Sequence, residues 1–339
     1  MKALVLAGGA GTRLRPFSYS TPKQLIPIAN KPVLVHCLES LVAVGVHDVA
    51  IIVGDHGAEI QARIGDGSAF GLRITYIRQD RPRGLAHCVR LARVFLGDDD
   101  FILYLGDNVL VGGIQTLAGE FRRVRPAAQV VVAEVADPRA YGVAEVAPDG
   151  RVTALVEKPE HPRGRLALIG VYFFTPEIHA AVRQIRPSAR GELEITDAIA
   201  RLVAGGRPVH AARFAGYWKD TGRIDDVLEC NQVLLNRITA RVDGVVDRAS
   251  ELVGEVVVEA GARVVRSRIA GPVMIGAGSL VQDSVLGPYT TIGQGCVLRG
   301  AGVGRSIVVD SVVVDHERGI HGSILGRDAR VRAEWEIGA

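Results

Sequence analysis

The chain has 339 residues, of which 48% are hydrophobic, and a formal net charge of +3. This length allows two domains with cores of their own, and a charge this small and dispersed argues against binding to nucleic acid or an anionic membrane. No run approaches the roughly 18 apolar residues of a membrane span, and "MKALVLAGG" is too short before the first arginine to act as a secretory signal, so we expect a cytoplasmic protein.

The first two thirds of the chain, to about residue 236, alternate short β-branched runs with amphipathic stretches. The elements are expected in this order: a strand at 2–7, a helix after Asn30 with Pro32 in its first turn, a strand at 49–53, a helix, a strand at 73–77, a helix from Gly84, and a strand at 101–105. This order is typical of βαβ units with a mostly parallel, Rossmann-like sheet, which binds ligands at the carboxyl ends of its strands. The loops "AGGAG", "RQDRPRG" and "GDN" follow strands, and we expect them to meet at one crevice.

The tail beyond about residue 240 has a different period. Its aliphatic residues recur in steps of six, six and five, and Gly261, Gly278 and Gly295 keep the resulting period of seventeen. This spacing predicts a left-handed parallel β-helix, with one inward aliphatic per face and a small residue at a corner. A β-sandwich would not keep this register over three turns. The inward residues are predicted to be Val258, Val264, Ile269, Ile275, Val281, Leu286, Ile292, Leu298 and Val303.

We therefore place one domain at 1–237 and the β-helix at 238–339. The cysteines show no Cys-x-x-Cys spacing and are predicted to be small buried residues without disulfides or zinc. They are Cys37, Cys88, Cys230 and Cys296.

The glycine-rich stretch "LAGGAGTRLRP" lacks the Gly-Lys-Ser/Thr of a P-loop and the third glycine of a dinucleotide fingerprint. Its backbone amides can still approach phosphates closely, because Gly8, Gly9 and Gly11 have no side chains, and Arg13 adds a permanently charged guanidinium. A tight structural turn would look similar. The stretch alone is thus a weak indication of a phosphate site.

Lysine and aspartate residues in loops strengthen that interpretation. Only five lysines occur in the chain, and Lys23, Lys158 and Lys219 lie in motifs bounded by proline or glycine. Asp107 follows a buried strand, and Asp220 is expected in a turn before a helix. Carboxylates in such places are suitable Mg²⁺ ligands. Together these groups suit a nucleoside triphosphate, although each aspartate alone is more often a cap or turn residue.

The ordered motifs "LAGGAGTRLRP", "TPKQLIPIANKP", "GDN", "YGV", "EKP", "GVYFF", "SARGELEITD" and "WKDTG" resemble those of the sugar-1-phosphate nucleotidyltransferases. The resemblance covers nearly the whole chain and is greatest to the glucose-1-phosphate thymidylyltransferases of the long type, which carry a β-helix tail. It implies in-line attack of a sugar 1-phosphate, glucose 1-phosphate, on the α-phosphorus of dTTP, giving dTDP-glucose and pyrophosphate with Mg²⁺ as cofactor. The sequence shows no nucleophile motif that would indicate a covalent intermediate.

The resemblance also implies a nucleotide site. Gly8 to Gly11 and Arg13 would cradle the triphosphate, Lys23 would bridge the α-phosphate and the leaving group, and Gln79 and Gly84 would read a pyrimidine edge. Gln24 is typical of the thymidylyl branch. The complete nucleotide set is Leu6, Gly8, Gly9, Gly11, Thr12, Arg13, Gln24, Gln79, Gly84 and Asp107.

For the sugar phosphate, the resemblance implies that Lys158 and Arg190 neutralise the phosphate while neighbouring residues contact hydroxyls. Asp107 and Asp220 would hold the metal. The catalytic set is Arg13, Lys23, Asp107, Lys158 and Asp220, and the sugar set is Tyr141, Gly142, Glu157, Lys158, Gly170 and Arg190.

Two alternatives stay open. One is transfer of uridylyl, or transfer to another sugar or cyclitol phosphate; the other is a non-catalytic regulatory subunit of the same architecture, against which Lys23, Asp107, Lys158 and Asp220 argue. The β-helix coils from 258 to 303 contain no histidine that could act as an acyltransferase base. A role in assembly is therefore expected for the tail, and the protein is expected to be a homo-oligomer.

Overall fold

The computed structural model describes residues 1–9, 11–15, 17–19 and 21–333. Ala10 and Pro16 of the glycine-rich stretch and the last six residues of the predicted β-helix range lie outside the described residues. The chain divides into two compact units, one of residues 1–10 and 34–219 and the other of residues 11–33 and 220–339.

The first 235 residues contain both strands and helices. The strands are β1 (Lys2–Ala7), β2 (Pro27–Ile28), β3 (Lys31–Pro32), β4 (Asp48–Val53), β5 (Arg73–Arg78), β6 (Phe101–Leu105), β7 (Asn108–Val111), β8 (Ala128–Glu134), β9 (Gly142–Val146), β10 (Val152–Glu157), β11 (Leu166–Phe174), β12 (Val209–Arg213) and β13 (Tyr217–Asp220). The helices are α1 (Val33–Val42), α2 (Gly57–Ile64), α3 (Leu85–Leu91), α4 (Arg93–Leu96), α5 (Gln115–Val124), α6 (Ile178–Gln184), α7 (Ile195–Ala204) and α8 (Ile224–Leu235).

The main sheet of the first unit has the order β10-β9-β11-β6-β1-β4-β5, with β8 also beside β11 and β12 beside β8. Neighbours in the series β6-β1-β4-β5 are parallel, as the alternation predicted, and β11 runs antiparallel to β6, β8 and β9. The central strand β1 is buried from Ala3 to Ala7 because both faces of a parallel sheet are covered. All four cysteines are buried, as predicted.

Two local predictions were wrong. Pro32 does not lie in the first turn of a helix, because β3 pairs with β2 and α1 begins at Val33, whose N–H donates to Ile26 O at 3.1 Å. Asp220 does not lie in a turn but ends β13, which pairs with β7.

The tail forms three parallel sheets. Their strands are β14 (Arg241–Val242), β15 (Val245–Val246), β16 (Glu251–Val253), β17 (Val256–Val258), β18 (Arg263–Val265), β19 (Arg268–Ala270), β20 (Val273–Ile275), β21 (Leu280–Gln282), β22 (Val285–Leu286), β23 (Thr290–Ile292), β24 (Val297–Arg299), β25 (Gly302–Gly304), β26 (Ile307–Val308), β27 (Val313–Asp315), β28 (Ile320–His321), β29 (Ile324–Leu325) and β30 (Arg330–Arg332). Every third strand pairs with the next of its sheet, which is the pattern of a triangular β-helix and agrees with the left-handed β-helix predicted above.

The seventeen-residue period is confirmed by strand register. Val256 pairs with Val273, and Val273 pairs with Thr290. The nine inward aliphatics predicted from the sequence all belong to the buried core of these coils. Gly261, Gly278 and Gly295 have φ values of 75°, 69° and 64°, a left-handed conformation that glycine adopts without a steric cost.

Candidate active site

The carboxyl ends of the parallel strands bring the predicted loops to one edge of the first unit's sheet. At the end of β1, Leu6 O accepts from the N–H of Gly106, at 2.9 Å. At the end of the neighbouring strand β4, Val53 O accepts from the N–H of Gln79, which follows β5, also at 2.9 Å. The residues that follow β1, β5 and β6 therefore begin beside one another, as expected for a ligand crevice.

Gly8 and Gln79, both predicted to bind the nucleotide, are neighbours. A Cβ atom added to Gly8 would lie 3.4 Å from Gln79 Oε1 and 3.5 Å from the nitrogen of Gly54. A Cβ at this position would therefore be in van der Waals contact with the Gln79 amide. Gly9 follows in the same loop.

Gly84 joins the loop after β5 to a second segment of the site. Its φ of 95° suits glycine, and an added Cβ would lie only 2.4 Å from Leu193 O. Leu193 N donates to Arg83 O at 2.8 Å, and Ala86 N donates to Leu193 O at 3.1 Å. The predicted base-reading loop is thus bonded on both sides of Gly84 to the segment that carries Arg190.

Three of the predicted sugar-site residues form one charged cluster. Glu157 Oε1 lies 3.5 Å from Arg190 Nη1 and 3.9 Å from Lys158 Nζ, and Glu157 Oε2 accepts from the Thr196 hydroxyl at 3.1 Å. Burial raises the pKa of Glu157, and the nearby Glu194 carboxylate adds to the rise. The two cations and the half-buried carboxylate can together bind a phosphate and a hydroxyl.

Tyr141 and Gly142 lie against this cluster. The N–H of Lys158 donates to Tyr141 O at 3.0 Å. A Cβ on Gly142 would come within 2.8 Å of the Thr196 methyl group and 3.2 Å of Glu157 Oε2. The absence of a side chain at Gly142 keeps the space beside the Glu157 carboxylate open.

Two further polar residues, Asn108 and Trp218, were missed as site residues although both lie in motifs quoted above. Trp218 Nε1 donates to Asn108 Oδ1 at 2.6 Å, and Asn108 Nδ2 donates to Asp107 Oδ1 at 3.0 Å. The Trp218 ring meets Tyr141 edge-on, with centroids 5.4 Å apart. At Gly170, φ is 75° and an added Cβ would lie 2.9 Å from Asn108 Oδ1. This network connects the candidate metal ligand Asp107 to Tyr141 and Gly170, which are predicted to lie at the sugar site.

In the second unit, Gly11 of the glycine-rich stretch lies close to Lys23. Gly11 has φ 61°, and an added Cβ would lie 3.3 Å from the Cβ atoms of both Ser18 and Lys23. The Ser18 hydroxyl donates to Gly11 O at 2.7 Å, and a short 3₁₀ helix begins directly after it at Thr12. Lys23 begins another 3₁₀ helix after Pro22. Gln24 is buried, with 1% of its surface exposed.

The second unit also brings Arg13 and Asp220 together. Arg13 Nη2 lies 3.5 Å from Asp220 Oδ2, and a Cβ on Gly222 would lie 2.7 Å from the same Nη2 atom. The Arg13 side chain is 66% exposed, so this ion pair adds little stability. Its guanidinium is accessible to a ligand.

The candidate metal ligands fall in different units, Asp107 in the first and Asp220 in the second. Among the described residues, no group of three or more histidine, cysteine, aspartate or glutamate side chains is arranged to hold a metal. Within the same residues no helix has the length and apolar character needed to cross a membrane.

Comparison with known proteins identifies a family and several relatives that this chain resembles. Residues 2–237 match the sequence model of the nucleotidyl transferase family. The chain is 51% identical over 337 residues to a glucose-1-phosphate thymidylyltransferase of Streptomyces griseus, covering 99% of this chain and 95% of the relative. It is 52% identical over 332 residues to a protein of the same name from Streptomyces antibioticus, covering 98% and 93%. A Bacillus anthracis crystal structure with sucrose, assigned as a glucose-1-phosphate thymidylyltransferase, matches with TM-score 0.65 and 32% identity over 71% of this chain and 97% of that one.

Proposed function

We propose that this chain, which belongs to the nucleotidyl transferase family, transfers the thymidylyl group of dTTP to glucose 1-phosphate and releases pyrophosphate. The observation that carries the proposal is that half of the residues are shared with two glucose-1-phosphate thymidylyltransferases over almost the entire chain. Residues 1–237 form the transferase domain in this proposal, and residues 238–339 form the β-helix domain.

In the proposed reaction, a phosphate oxygen of glucose 1-phosphate attacks the α-phosphorus of dTTP. The new bond joins that oxygen to the α-phosphorus, and the bond between the α-phosphorus and the bridging oxygen of pyrophosphate breaks. The chain supplies position and positive charge rather than a nucleophile. Arg13 and Lys23 neutralise the triphosphate, and the backbone of Gly8, Gly9 and Gly11 lies against it. The base and sugar of the nucleotide are bound by Leu6, Thr12, Gln24, Gln79 and Gly84.

The acceptor is bound by the cluster around Glu157. Lys158 and Arg190 bind the phosphate of glucose 1-phosphate, since both cations lie within 4 Å of the same carboxylate and can turn to a stronger dianion. Glu157 accepts a hydrogen bond from a sugar hydroxyl, and Tyr141, Gly142 and Gly170 border the sugar ring.

Asp107 and Asp220 are the proposed Mg²⁺ ligands. The donor set fits this ion, because Mg²⁺ prefers oxygen ligands and takes only one or two carboxylates beside phosphate oxygens and water. When bound, Mg²⁺ neutralises the charge that develops on the leaving pyrophosphate. Asn108 orients one of the two ligands by donating to Asp107 Oδ1.

We also propose a cytoplasmic, homo-oligomeric enzyme in which the β-helix contributes to assembly. The buried cysteine thiols fit a reducing compartment. Parallel coils end in unpaired strand edges that another copy of the chain can cover.

The proposal is tested by incubating the full chain with glucose 1-phosphate, Mg²⁺ and either dTTP or UTP, and by following pyrophosphate release and the nucleotide sugar by mass spectrometry. We expect dTDP-glucose to form with the higher kcat/KM, and no pyrophosphate when the sugar phosphate is omitted. A preference for UTP would overturn the thymidylyl assignment, and no product with either triphosphate would overturn the proposed reaction.

A further inference from the structure

The two ends of the Gln79 side-chain amide face different elements of the first unit. Its Oε1 atom lies beside Gly8 of the glycine-rich loop, 3.4 Å from where a Cβ of Gly8 would be. Its Nε2 atom lies 3.1 Å from Nδ1 of His87, in the first turn of α3. The amide therefore spans from the predicted nucleotide loop to a helix that has no assigned part in binding.

The direction of the hydrogen bond to His87 follows from the chemistry of its two atoms. An amide nitrogen can only donate, so Nδ1 of His87 must accept, which requires a neutral imidazole with its proton on Nε2. The amide nitrogen is thus engaged by α3, and the carbonyl oxygen faces the side of the glycine-rich loop.

The surroundings of His87 favour the neutral form of its ring. Partial burial lowers its pKa, the charges of Arg83 and Arg90 lower it further, and only Asp80 opposes them. His87 also borders a cavity of about 530 Å³ that Arg186 lines from the segment facing α3, and none of the described residues that line this cavity is acidic. Positive charge thus faces the imidazole from the preceding loop, from its own helix and from the opposite segment.

We propose that His87 is a positioning residue for base selection. His87 accepts a hydrogen bond from Gln79 Nε2, which leaves Oε1, an acceptor, as the atom that Gln79 presents to the base. The site then favours pyrimidines with a ring N–H, which are thymine and uracil. Cytosine presents a ring acceptor at the corresponding position, and two acceptors facing each other leave both without a hydrogen bond. This inference rests on the proposed function in one respect, the assignment of Gln79 to the base.

The inference is tested by comparing dTTP with dCTP in His87→Ala, His87→Gln and the wild-type chain. Each triphosphate is measured by kcat/KM for pyrophosphate release and by Kd from calorimetry without the sugar phosphate. In His87→Ala the amide can rotate, and we expect the preference for dTTP over dCTP to fall about 10- to 100-fold, the value of one buried hydrogen bond. In His87→Gln, an amide oxygen replaces Nδ1 as acceptor and most of the preference returns.

Arg90→Ala is the matched control, since it changes the next turn of the same helix without removing the acceptor. At pH 7.5 we expect it to keep the wild-type preference. On acidification His87 gains a proton, and we expect the wild-type chain to lose its preference for dTTP. We expect Arg90→Ala to lose this preference at a higher pH than the wild-type chain does, because a cation that lowers the imidazole pKa is gone. His87→Gln shows no such loss.

Two results would overturn the inference: an unchanged dTTP preference in His87→Ala, or a preference that increases when His87 is protonated. Failure of the proposed function looks different. A wild-type chain that binds dTTP over dCTP but releases no pyrophosphate would contradict the reaction, whereas the Kd values of the His87 variants would still decide the role of this residue.

Discussion

Replacing Trp218 by Phe removes one hydrogen-bond donor from the network around Asp107. The indole N–H donates to Asn108 Oδ1 at 2.6 Å, and the amide of Asn108 donates in turn to Asp107 Oδ1 at 3.0 Å. A phenyl ring keeps the aromatic contact with Tyr141, whose ring centroid lies 5.4 Å away. The substitution therefore tests the hydrogen bond rather than the packing of the ring.

The size of the effect follows from the burial of Asn108, which is 3% exposed, so that water cannot easily replace the lost donor. An unsatisfied buried acceptor costs about 1–3 kcal/mol of the free energy of unfolding. In a chain of this size, that corresponds to a fall in Tm of roughly 1–4 °C. Because Asn108 also orients Asp107, we expect kcat to fall about tenfold, with a higher Mg²⁺ concentration needed for half-maximal rate.

Thermal unfolding and pyrophosphate release over a range of Mg²⁺ concentrations measure both effects. Asn108→Ala and the double variant complete a double-mutant cycle, in which we expect a coupling free energy of about 1 kcal/mol or more. A Trp218→Phe variant with wild-type Tm, or two substitutions whose effects simply add, would refute the reasoning.

The remaining predictions concern the metal, the acceptor and the β-helix. Asp107→Asn keeps the shape of the side chain but removes its charge, and we expect it to abolish nearly all turnover while the circular dichroism spectrum stays unchanged. We expect the same loss of turnover in Asp220→Asn. Normal rates at ordinary Mg²⁺ concentrations would contradict the metal assignment. Lys158→Ala is expected to raise KM for glucose 1-phosphate more than KM for dTTP, and the reverse pattern in steady-state kinetics would show that the two phosphate sites are exchanged. Leu286→Ala opens a cavity in the fully buried coil core and is expected to lower stability by about 2–5 kcal/mol in urea unfolding, whereas an unchanged midpoint would contradict the core assignment.

The β-helix was predictable because its pattern is local and repeated. Each inward position, such as Ile275 or Leu298, is fixed by its distance from equivalents one coil away, and both are fully buried. Pro32 shows the opposite case. Its place depends on the pairing of Pro27 with Pro32 in a two-residue ladder, which no hydrophobic periodicity records.

The sequence predicts a set of candidate site residues, but it does not predict their geometry. The order of motifs indicated Glu157, Lys158 and Arg190, yet their approach to within 4 Å depends on how the segment after α6 returns to the end of β10. Trp218 and Asn108 are 110 positions apart and meet because β13 pairs with β7. Long-range strand pairing of this kind leaves no trace in either local sequence.

The hydrogen bonds of Leu193 on both sides of Gly84 have a mechanical consequence. They join the loop proposed to read the base to the segment proposed to bind the acceptor's phosphate, so a displacement of one backbone is transmitted to the other. We therefore expect that ordering of the loop by a bound nucleotide also restrains the segment that carries Arg190. Under the proposed function, the affinity for the sugar phosphate then depends on occupancy of the nucleotide site, and these main-chain hydrogen bonds are one route for that coupling.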